Sequence, residues 1–274
     1  MKLDSSDYRK DEKANIRKLY LEGYNPHEIA YITHLTFYEV IYALKQFGQG
    51  IDIPSIIAYD DIDEKKVIFI ADTHLGSIYE NLDYLREVYK YAKDNDIHVI
   101  IHGGDLIQST FTNVSNKYRD EMRQVEHVII DYPSSKDITN YILLGNHDFN
   151  TMKKHDIFWD TLSSRKDFNL LGFKRAYLTW LKNMISVNHS TKKYHLAIPK
   201  TDTILSVHGH SHQLSYYKDK TISIPTLSDD LLQHQNARPG FLVGTQKEGY
   251  ISLDSYYFKE SLHHEGRILN KKIH

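Results

Sequence analysis

The chain has 274 residues, of which 41% are hydrophobic and 26% are charged, so it can form one large core and a small additional domain. A formal net charge of -2 excludes binding of nucleic acid through an overall positive charge. The absence of cysteine excludes disulfides and thiolate metal sites, so any metal must bind His, Asp, Glu or Asn. No apolar segment reaches the roughly 18 residues of a membrane-spanning helix, and residues 1–7 lack a signal-peptide core. We therefore expect a cytoplasmic protein without a membrane partner.

The N-terminal part of the chain has the pattern of short helices. Asn25 is suited to cap a helix that has Pro26 at its first position, and a further helix is expected over about residues 36–47. Short helices separated by tight turns predict an all-α helix-turn-helix domain at residues 1–50, followed by a linker at residues 51–65.

From residue 66 onward, strand-like apolar runs alternate with helical segments, which is typical of an α/β fold built from βαβ units. The predicted helices cover residues 81–93, 117–131 and 153–165. Short strands follow His212, for example at residues 221–224, 241–243 and 250–253. We predict a single domain at residues 66–258 and a polar, frayed tail at residues 259–274.

Five segments rich in histidine and aspartate lie in a fixed order within this domain. They are Asp72-Thr73-His74, Gly104-Asp105, Gly145-Asn146-His147-Asp148, His189 and Gly209-His210-Ser211-His212. The apolar runs that precede them are residues 67–70, 99–101, 141–144, 184–187 and 204–207. Such runs predict buried strands, and open α/β sheets bind ligands beyond the carboxyl ends of their strands. The five segments are therefore expected to converge on one crevice.

The side chains in these segments suit divalent metal ions. Mn²⁺ and Fe²⁺ accept carboxylate, amide oxygen and imidazole ligands. Two such ions roughly 3.5–4 Å apart can bind the attacking and leaving oxygens of a phosphoryl transfer, and a carboxylate can bridge them. If residues 210–212 are extended, His210 and His212 point to the same side and reach into one site.

The five segments resemble the motifs of the calcineurin-like metallophosphoesterase superfamily over about residues 66–258. Residues 70–76 and 144–148 are especially similar to the branch that includes the SbcD and Mre11 nucleases. The resemblance implies a metallophosphoesterase β-sandwich flanked by helices, here preceded by the helix-turn-helix domain. It also implies a metal-dependent hydrolase whose nucleophile is a metal-bound water.

The same resemblance implies a role for each residue. Asp72, His74 and His212 would bind the first metal, and Asn146, His189 and His210 the second. Asp105 would bridge the two ions. His147 would bind no metal and would stabilise or protonate the leaving oxygen.

Several residues would support the ligands without binding metal. Asp148 and His208 belong to this group, although His208 and His195 are also alternatives to His189 as a ligand. Gln108 occupies the position where family members often have an Asp or His that orients the catalytic imidazole. Its amide carbonyl can accept an imidazole N–H but stabilises a charged ring less than a carboxylate does. The Arg-rich signatures of protein Ser/Thr phosphatases are absent, which disfavours that activity.

The N-terminal helices resemble the DNA-binding segments of resolvases and sigma-like factors. Tyr38, Tyr42 and Lys45 would contact nucleic acid from the recognition helix. However, residues 1–50 contain seven Lys and Arg against seven Asp and Glu, and DNA affinity depends on neutralising phosphates. A docking or oligomerisation bundle is therefore an equal alternative.

The sequence thus predicts a two-metal phosphodiesterase or nuclease that acts on DNA. Mn²⁺ is the expected cofactor, and Fe, Zn or Mg are alternatives. Two other functions stay open. One is hydrolysis of a small or cyclic nucleotide, and the other is a DNA-binding regulator with a silent phosphoesterase core. The sequence does not indicate an oligomeric state.

Overall fold

The computed structural model describes most of the chain in two compact units, Met1–Ile57 and Ala58–His274. The described residues are 10–22, 24, 26–35, 39–40, 43–44, 56–110, 116–173, 175–189, 203–217, 221–229, 237–259 and 261–273. Each unit has its own cluster of buried apolar side chains.

In the N-terminal unit, helix α1 spans Lys10–Leu21 and helix α2 spans Pro26–Thr33. Pro26 is the first residue of α2, as predicted, where its missing N–H needs no partner. The buried cluster of this unit contains Ile16, Ile29, Val40, Ala43 and Leu44.

The predicted third helix is described only at residues 39–40 and 43–44, which are helical. Tyr38, Tyr42 and Lys45 lie outside the described residues, as does Asn25. The helix-turn-helix therefore stays a prediction.

The larger unit is built on two β-sheets. Its strands are β1 Ile56–Ile62, β2 Lys66–Ile70, β3 Val99–His102, β4 Thr139–Leu144, β5 Phe168–Phe173, β6 Arg175–Trp180, β7 Asn183–Asn188, β8 Leu205–His208, β9 Tyr216–Tyr217, β10 Thr221–Ser223, β11 Gly240–Lys247, β12 Tyr250–Phe258 and β13 Leu262–Lys272. One sheet has the order β1-β6-β7-β8-β10-β9 and the other β13-β12-β11-β2-β3-β4-β5. Strands β2 to β5 run parallel to one another, as do β7, β8 and β10.

The apolar core of this unit is formed by side chains from both sheets. In β6 every second residue is buried, so Ala176, Leu178 and Trp180 share one face. Trp180 contacts Phe69 of the other sheet edge-on, with ring centroids 6.3 Å apart, and its Nε1 donates to the carbonyl of Glu64. Both sheets thus contribute to one core, which confirms the predicted α/β architecture.

Four helices are described in this unit: α3 Leu82–Asp94, α4 Glu121–Asp131, α5 Asn146–Met152 and α6 Phe158–Ser163. The buried residues of α3 are spaced by three or four positions, and Asn81 caps its first turn. The helix predicted at residues 117–131 begins later, because the side chain of Asp120 caps it by accepting from the Met122 N–H. The helix predicted at residues 153–165 is shorter and is preceded by α5. No helix among the described residues combines the length and apolar character needed to cross a membrane.

Two boundaries predicted from composition were wrong. Within the predicted linker at residues 51–65, Ile56–Ile62 forms β1, and the Leu181 N–H donates to the Ile62 carbonyl. The predicted frayed tail at residues 259–274 contains β13, which pairs with β12. Leu269 is buried, but most β13 side chains are polar and exposed, as suits the edge of a sheet. The polar composition of residues 259–274 therefore led to the prediction of a tail where the structure has an edge strand.

Candidate metal centre

The five predicted segments follow the carboxyl ends of five strands. Asp72 comes after β2, Asp105 after β3, and Asn146 after β4, which are neighbours in one sheet. His189 directly follows β7 and His210 follows β8, which are neighbours in the other sheet. Because each group of strands is parallel, their carboxyl ends lie at a common edge. The side chains of the five segments come together beyond these carboxyl ends, as the sequence predicted.

The first group of converging side chains is Asp72, His74 and His212. One ligand atom from each lies within 4.8 Å of the other two. The Nε2 atoms of the two histidines are 3.1 Å apart, and the Nε2 of His212 is 3.7 Å from the Asp72 Oδ1. All three residues are buried.

The second group is Asp105, His189 and His210, whose ligand atoms also lie within 4.8 Å of one another. His189 donates its Nδ1–H to the carbonyl of Gly103, because a carbonyl only accepts. Its Nε2 lies 3.1 Å from the Asp105 Oδ2 and 3.1 Å from the Asn146 Oδ1. A backbone contact of this kind fixes the ring and leaves the other nitrogen for a metal.

These distances fit ligands of a metal ion. Oxygen and nitrogen ligands lie about 2.1 Å from Mg²⁺ or Zn²⁺, so two ligands at right angles are separated by about 3 Å. The Nε2 atoms of His74 and His212 have this separation, and so do the contacts of His189. The Nδ1 of His74 is buried with no hydrogen-bond partner among the described residues. The Nε2 is the nitrogen of this ring that faces His212 and Asp105.

Asp105 lies between the two groups. Its Oδ2 is 3.1 Å from the Nε2 of His189 and 4.0 Å from the Nε2 of His74. Its Oδ1 accepts from the backbone N–H of His147 at 2.9 Å. Asp105 also belongs to a further group with His74 and His147, whose ligand atoms lie within 4.8 Å of one another.

The titratable groups of the site shift one another's pKa values. Burial alone would raise the pKa of Asp105, but the charge and hydrogen bond of His189 hold it well below its usual value. Burial opposes protonation of His189, yet Asp105 and Asp72 raise the pKa of its imidazole to about 9. Burial raises the pKa of Asp72 to about 6, although His212 opposes that shift. The site therefore favours bound positive charge, which a proton or a cation can supply.

The backbone of the site is unusual. Asp72, His74, Asp105, His210 and His212 all have left-handed φ angles between 44° and 74°. Such angles cost non-glycine residues of order 1 kcal/mol and cluster at functional sites. The expectation that residues 210–212 are extended was wrong, because they form a bend. The Asp72 carboxylate stabilises this bend by accepting from the His210 N–H at 3.0 and 2.9 Å.

The bend separates the two histidine rings. His210 lies edge-on to His189, with ring centroids 5.1 Å apart, and His212 lies 5.0 Å from the ring of His74. One ring therefore belongs to each group of side chains.

His147 lies near the start of α5, and its Nε2 is 4.0 Å from the Asp105 Oδ2. Its Nδ1 donates to the main-chain carbonyl of Gln108. The sequence had predicted the side-chain amide of Gln108 as the acceptor. A main-chain carbonyl takes this role instead.

Asp148 holds the two loops of the site together. Its carboxylate accepts from the N–H groups of Leu106, Ile107 and Gly145 at 2.8–3.0 Å. Burial and the charge of Asp105 raise the pKa of this carboxyl to about 6, despite these bonds. Asp148 thus connects the loop after β3 with the start of α5.

Two further buried histidines lie beside the site. His208 contacts the Ser206 Oγ and does not belong to the groups of metal-type ligands among the described residues, while His195 lies outside them. His102 accepts from the Gly104 N–H and donates to the Thr73 Oγ1, and burial lowers its pKa to about 3. A neutral His102 thus holds the loops that carry Asp72 and Asp105. The position of His102 at the end of β3 was the only feature of the sequence that indicated this role.

Residues 65–265 match the family described as calcineurin-like phosphoesterase. The search of curated proteins found no match. Among solved structures, Vps29 of Chaetomium thermophilum is 12% identical, with a TM-score of 0.46 over 76% of this chain and 97% of that chain. Yfce, a phosphoesterase from E. coli, is 14% identical, with a TM-score of 0.45 over 76% and 100%. Vps29 of Entamoeba histolytica, complexed with Zn²⁺, is 13% identical, with a TM-score of 0.42 over 74% and 98%. The chain belongs to the calcineurin-like phosphoesterase family and is a metal-dependent phosphoester hydrolase.

Proposed function

We propose that this protein is a two-metal phosphodiesterase that cleaves nucleic acid, with DNA as its substrate. The observation that carries the two-metal part is the position of the Asp105 carboxylate, whose Oδ2 lies 3.1 Å from the Nε2 of His189 in one group and 4.0 Å from the Nε2 of His74 in the other. One group supports an ion bound by Asp72, His74 and His212. The other supports an ion bound by Asn146, His189 and His210.

We propose Mn²⁺ as the metal that the donor atoms bind. They are carboxylate and amide oxygens and imidazole nitrogens, with no thiolate. Fe, Zn and Mg use subsets of the same donors. When bound, the two cations supply Lewis acidity that stabilises the charge of a phosphoryl group during displacement.

His147 acts on the leaving oxygen in this proposal. The carbonyl of Gln108 takes the Nδ1–H, so the Nε2 is the nitrogen that faces Asp105 and the metal groups. The ring also lies edge-on to His74, with centroids 4.8 Å apart. A proton carried on Nε2 is therefore directed into the site, where it can pass to the leaving oxygen.

The N-terminal unit is the reason for proposing DNA. It has its own buried cluster, and α1 and α2 are joined by a short connection. A small helical unit that is separate from the hydrolase domain is suited to substrate recognition. The resemblance to SbcD and Mre11 nucleases and the contacts assigned to Tyr38, Tyr42 and Lys45 remain predictions.

An activity panel in Mn²⁺ tests this proposal. The substrates are single- and double-stranded DNA, RNA, cyclic nucleotides and bis-p-nitrophenyl phosphate, each with the full chain and with residues 1–50 removed. We expect both proteins to hydrolyse the nitrophenyl ester, because all proposed ligands follow residue 70. Only the full chain should cleave DNA efficiently, with binding that weakens steeply as salt rises. Equal DNA cleavage by both proteins would contradict a role of residues 1–50 in recognising DNA. Hydrolysis of cyclic nucleotides alone would contradict the assignment of DNA as the substrate.

A further inference from the structure

The loop that orients His147 is held in an unfavourable conformation. The carbonyl of Gln108 accepts the Nδ1–H of His147, and the next residue, Ser109, has a left-handed φ of 58°. A serine adopts this left-handed conformation only when its surroundings enforce it. The direction of the Gln108 carbonyl therefore depends on the contacts of Ser109.

Helix α4 provides most of these contacts. The Oε1 of Gln124 accepts from the Ser109 N–H at 2.7 Å. The Oε1 of Glu121 accepts from the Ser109 Oγ at 2.8 Å and from the Thr110 N–H at 2.9 Å. The Thr110 hydroxyl donates to the same oxygen. Ser109 is fully buried, so its own bonds with Gln124 and Glu121 are shielded from water.

Glu121 also binds the helix that carries His147. Its Oε1 accepts from the Nζ of Lys154 at 2.8 Å, and its Oε2 contacts the Nε2 of His155 at 3.2 Å. These two residues come shortly after α5, which begins at Asn146. The Glu121 side chain is only 4% exposed. One buried carboxylate therefore connects the loop that accepts from His147 with the end of the helix on which His147 lies.

The ionisation state of the Glu121 carboxylate suits its role in connecting the two segments. Burial would raise the pKa of Glu121, but its bonds with Lys154, Thr110 and Ser109 hold it at about 2. Glu121 is also in the first turn of α4, where the helix dipole favours a negative charge. The acceptor is ionised at neutral pH.

We propose that Glu121 and Gln124 are positioning residues for the hydrolysis reaction. They fix Ser109 and Thr110 so that the main-chain carbonyl of Gln108 orients the imidazole of His147. This arrangement takes the place of the carboxylate that would otherwise follow Asp105 by three residues. The inference rests on the proposed role of His147 in protonating the leaving oxygen.

The test compares Glu121→Gln with Glu126→Gln, which neutralises an exposed carboxylate on the same helix. The substrates are the p-nitrophenyl and phenyl esters of thymidine 5′-phosphate, assayed in Mn²⁺. Phenolate is the more basic leaving group, so its departure depends more on a proton donor. We expect Glu121→Gln to lower kcat for the phenyl ester about tenfold, which is part of the 10²–10⁴-fold effect of a general acid. The loss for the nitrophenyl ester should be smaller, while KM and metal content stay unchanged. Glu126→Gln should match the parent protein.

A double-mutant cycle separates positioning from a general effect on the fold. In a His147→Ala background, Glu121→Gln should cause no further loss, because both changes remove the same contribution. Gln124→Met provides a second route if Glu121→Gln folds poorly, since it removes the acceptor for the Ser109 N–H, together with the bond that the Gln124 Nε2 donates to the Tyr118 carbonyl.

Equal losses for both esters, or losses that multiply with His147→Ala, would overturn the inference and leave the role of His147 intact. Unchanged activity in Glu121→Gln and Gln124→Met would also overturn it. If His147→Ala itself kept full activity on the phenyl ester, the proposed role of His147 would fail, and this inference with it.

Discussion

Substitution of Gly145 by alanine should disable the site without changing any proposed ligand. The backbone at Gly145 has φ -88° and ψ -167°, which alanine adopts without strain. However, an added Cβ would lie 2.1 Å from the Oδ1 of Asp105 and 2.4 Å from its backbone nitrogen. Real Cβ contacts are not closer than 3.0 Å, so the carboxylate must move by about 0.9 Å.

The expected consequence follows from that displacement. Overpacking of this kind destabilises a fold by about 1–3 kcal/mol, and a displacement of about 1 Å at a reacting centre can lower the rate about 10²-fold. We therefore expect Gly145→Ala to remain folded, to bind less metal and to hydrolyse bis-p-nitrophenyl phosphate in Mn²⁺ about 10²-fold more slowly.

Gly266→Ala is the matched control. An added Cβ there meets nothing within 4 Å, although its φ of 148° makes alanine unfavourable. This variant should lose some stability and keep its activity. Wild-type rate and metal content in Gly145→Ala would refute the placement of Asp105 against residue 145.

Three further substitutions separate the roles of individual charged residues. Asp105→Asn should lower bound metal at both positions and nearly abolish hydrolysis, because Asp105 contacts both ligand groups. His147→Ala should keep its metal content and lose about 10²–10⁴-fold in kcat, as expected for a general acid. Glu80→Gln should reduce the sensitivity of the fold to acid. Burial opposes ionisation of Glu80, but bonds from His127 and Lys117 lower its pKa from 4.5 to about 2. The stability it contributes is present above its unfolded pKa and is lost as pH falls from about 4.5 toward 2.

Metal analysis and steady-state kinetics measure the outcomes for Asp105→Asn and His147→Ala. Urea unfolding across pH measures the outcome for Glu80→Gln. Loss of metal in His147→Ala would make His147 a ligand and contradict its assigned role. Full metal content in Asp105→Asn would exclude a bridging carboxylate. Identical slopes of stability against pH for Glu80→Gln and the parent would show that Glu80 contributes nothing in that range.

The positions of the site residues were predictable because strand ends have a strong signal in sequence. Apolar runs before Asp72, Asp105 and Asn146 correspond to β2, β3 and β4. Parallel neighbours bring such ends together whatever the details of the loops. The order of the motifs was therefore enough to predict that the five segments meet.

The conformation of the loops was not predictable in the same way. The bend at His210 depends on its N–H reaching the Asp72 carboxylate, which is 138 residues away in sequence. The acceptor for His147 is a main-chain carbonyl, so the identity of the Gln108 side chain did not reveal it. Glu121 lies in the segment at residues 117–131, for which the sequence predicted only a helix. Contacts between residues distant in sequence leave no local pattern in the sequence, and neither do hydrogen bonds to backbone acceptors.

The edge strands were missed for a different reason. Strand β13 pairs on one side with β12 and has mostly exposed polar side chains. Its composition resembles that of a tail, since an edge strand needs few buried residues. Hydrogen bonding with β12, rather than burial, defines this element.

The central claim is that two metal ions share Asp105, and anomalous X-ray scattering at the manganese edge tests it most directly. Crystals of the full chain grown with Mn²⁺ should show two peaks about 3.5–4 Å apart. One peak should lie among Asp72, His74 and His212, and the other among Asn146, His189 and His210, with an Asp105 oxygen beside both. A single peak, or two peaks of which only one contacts Asp105, would contradict the account.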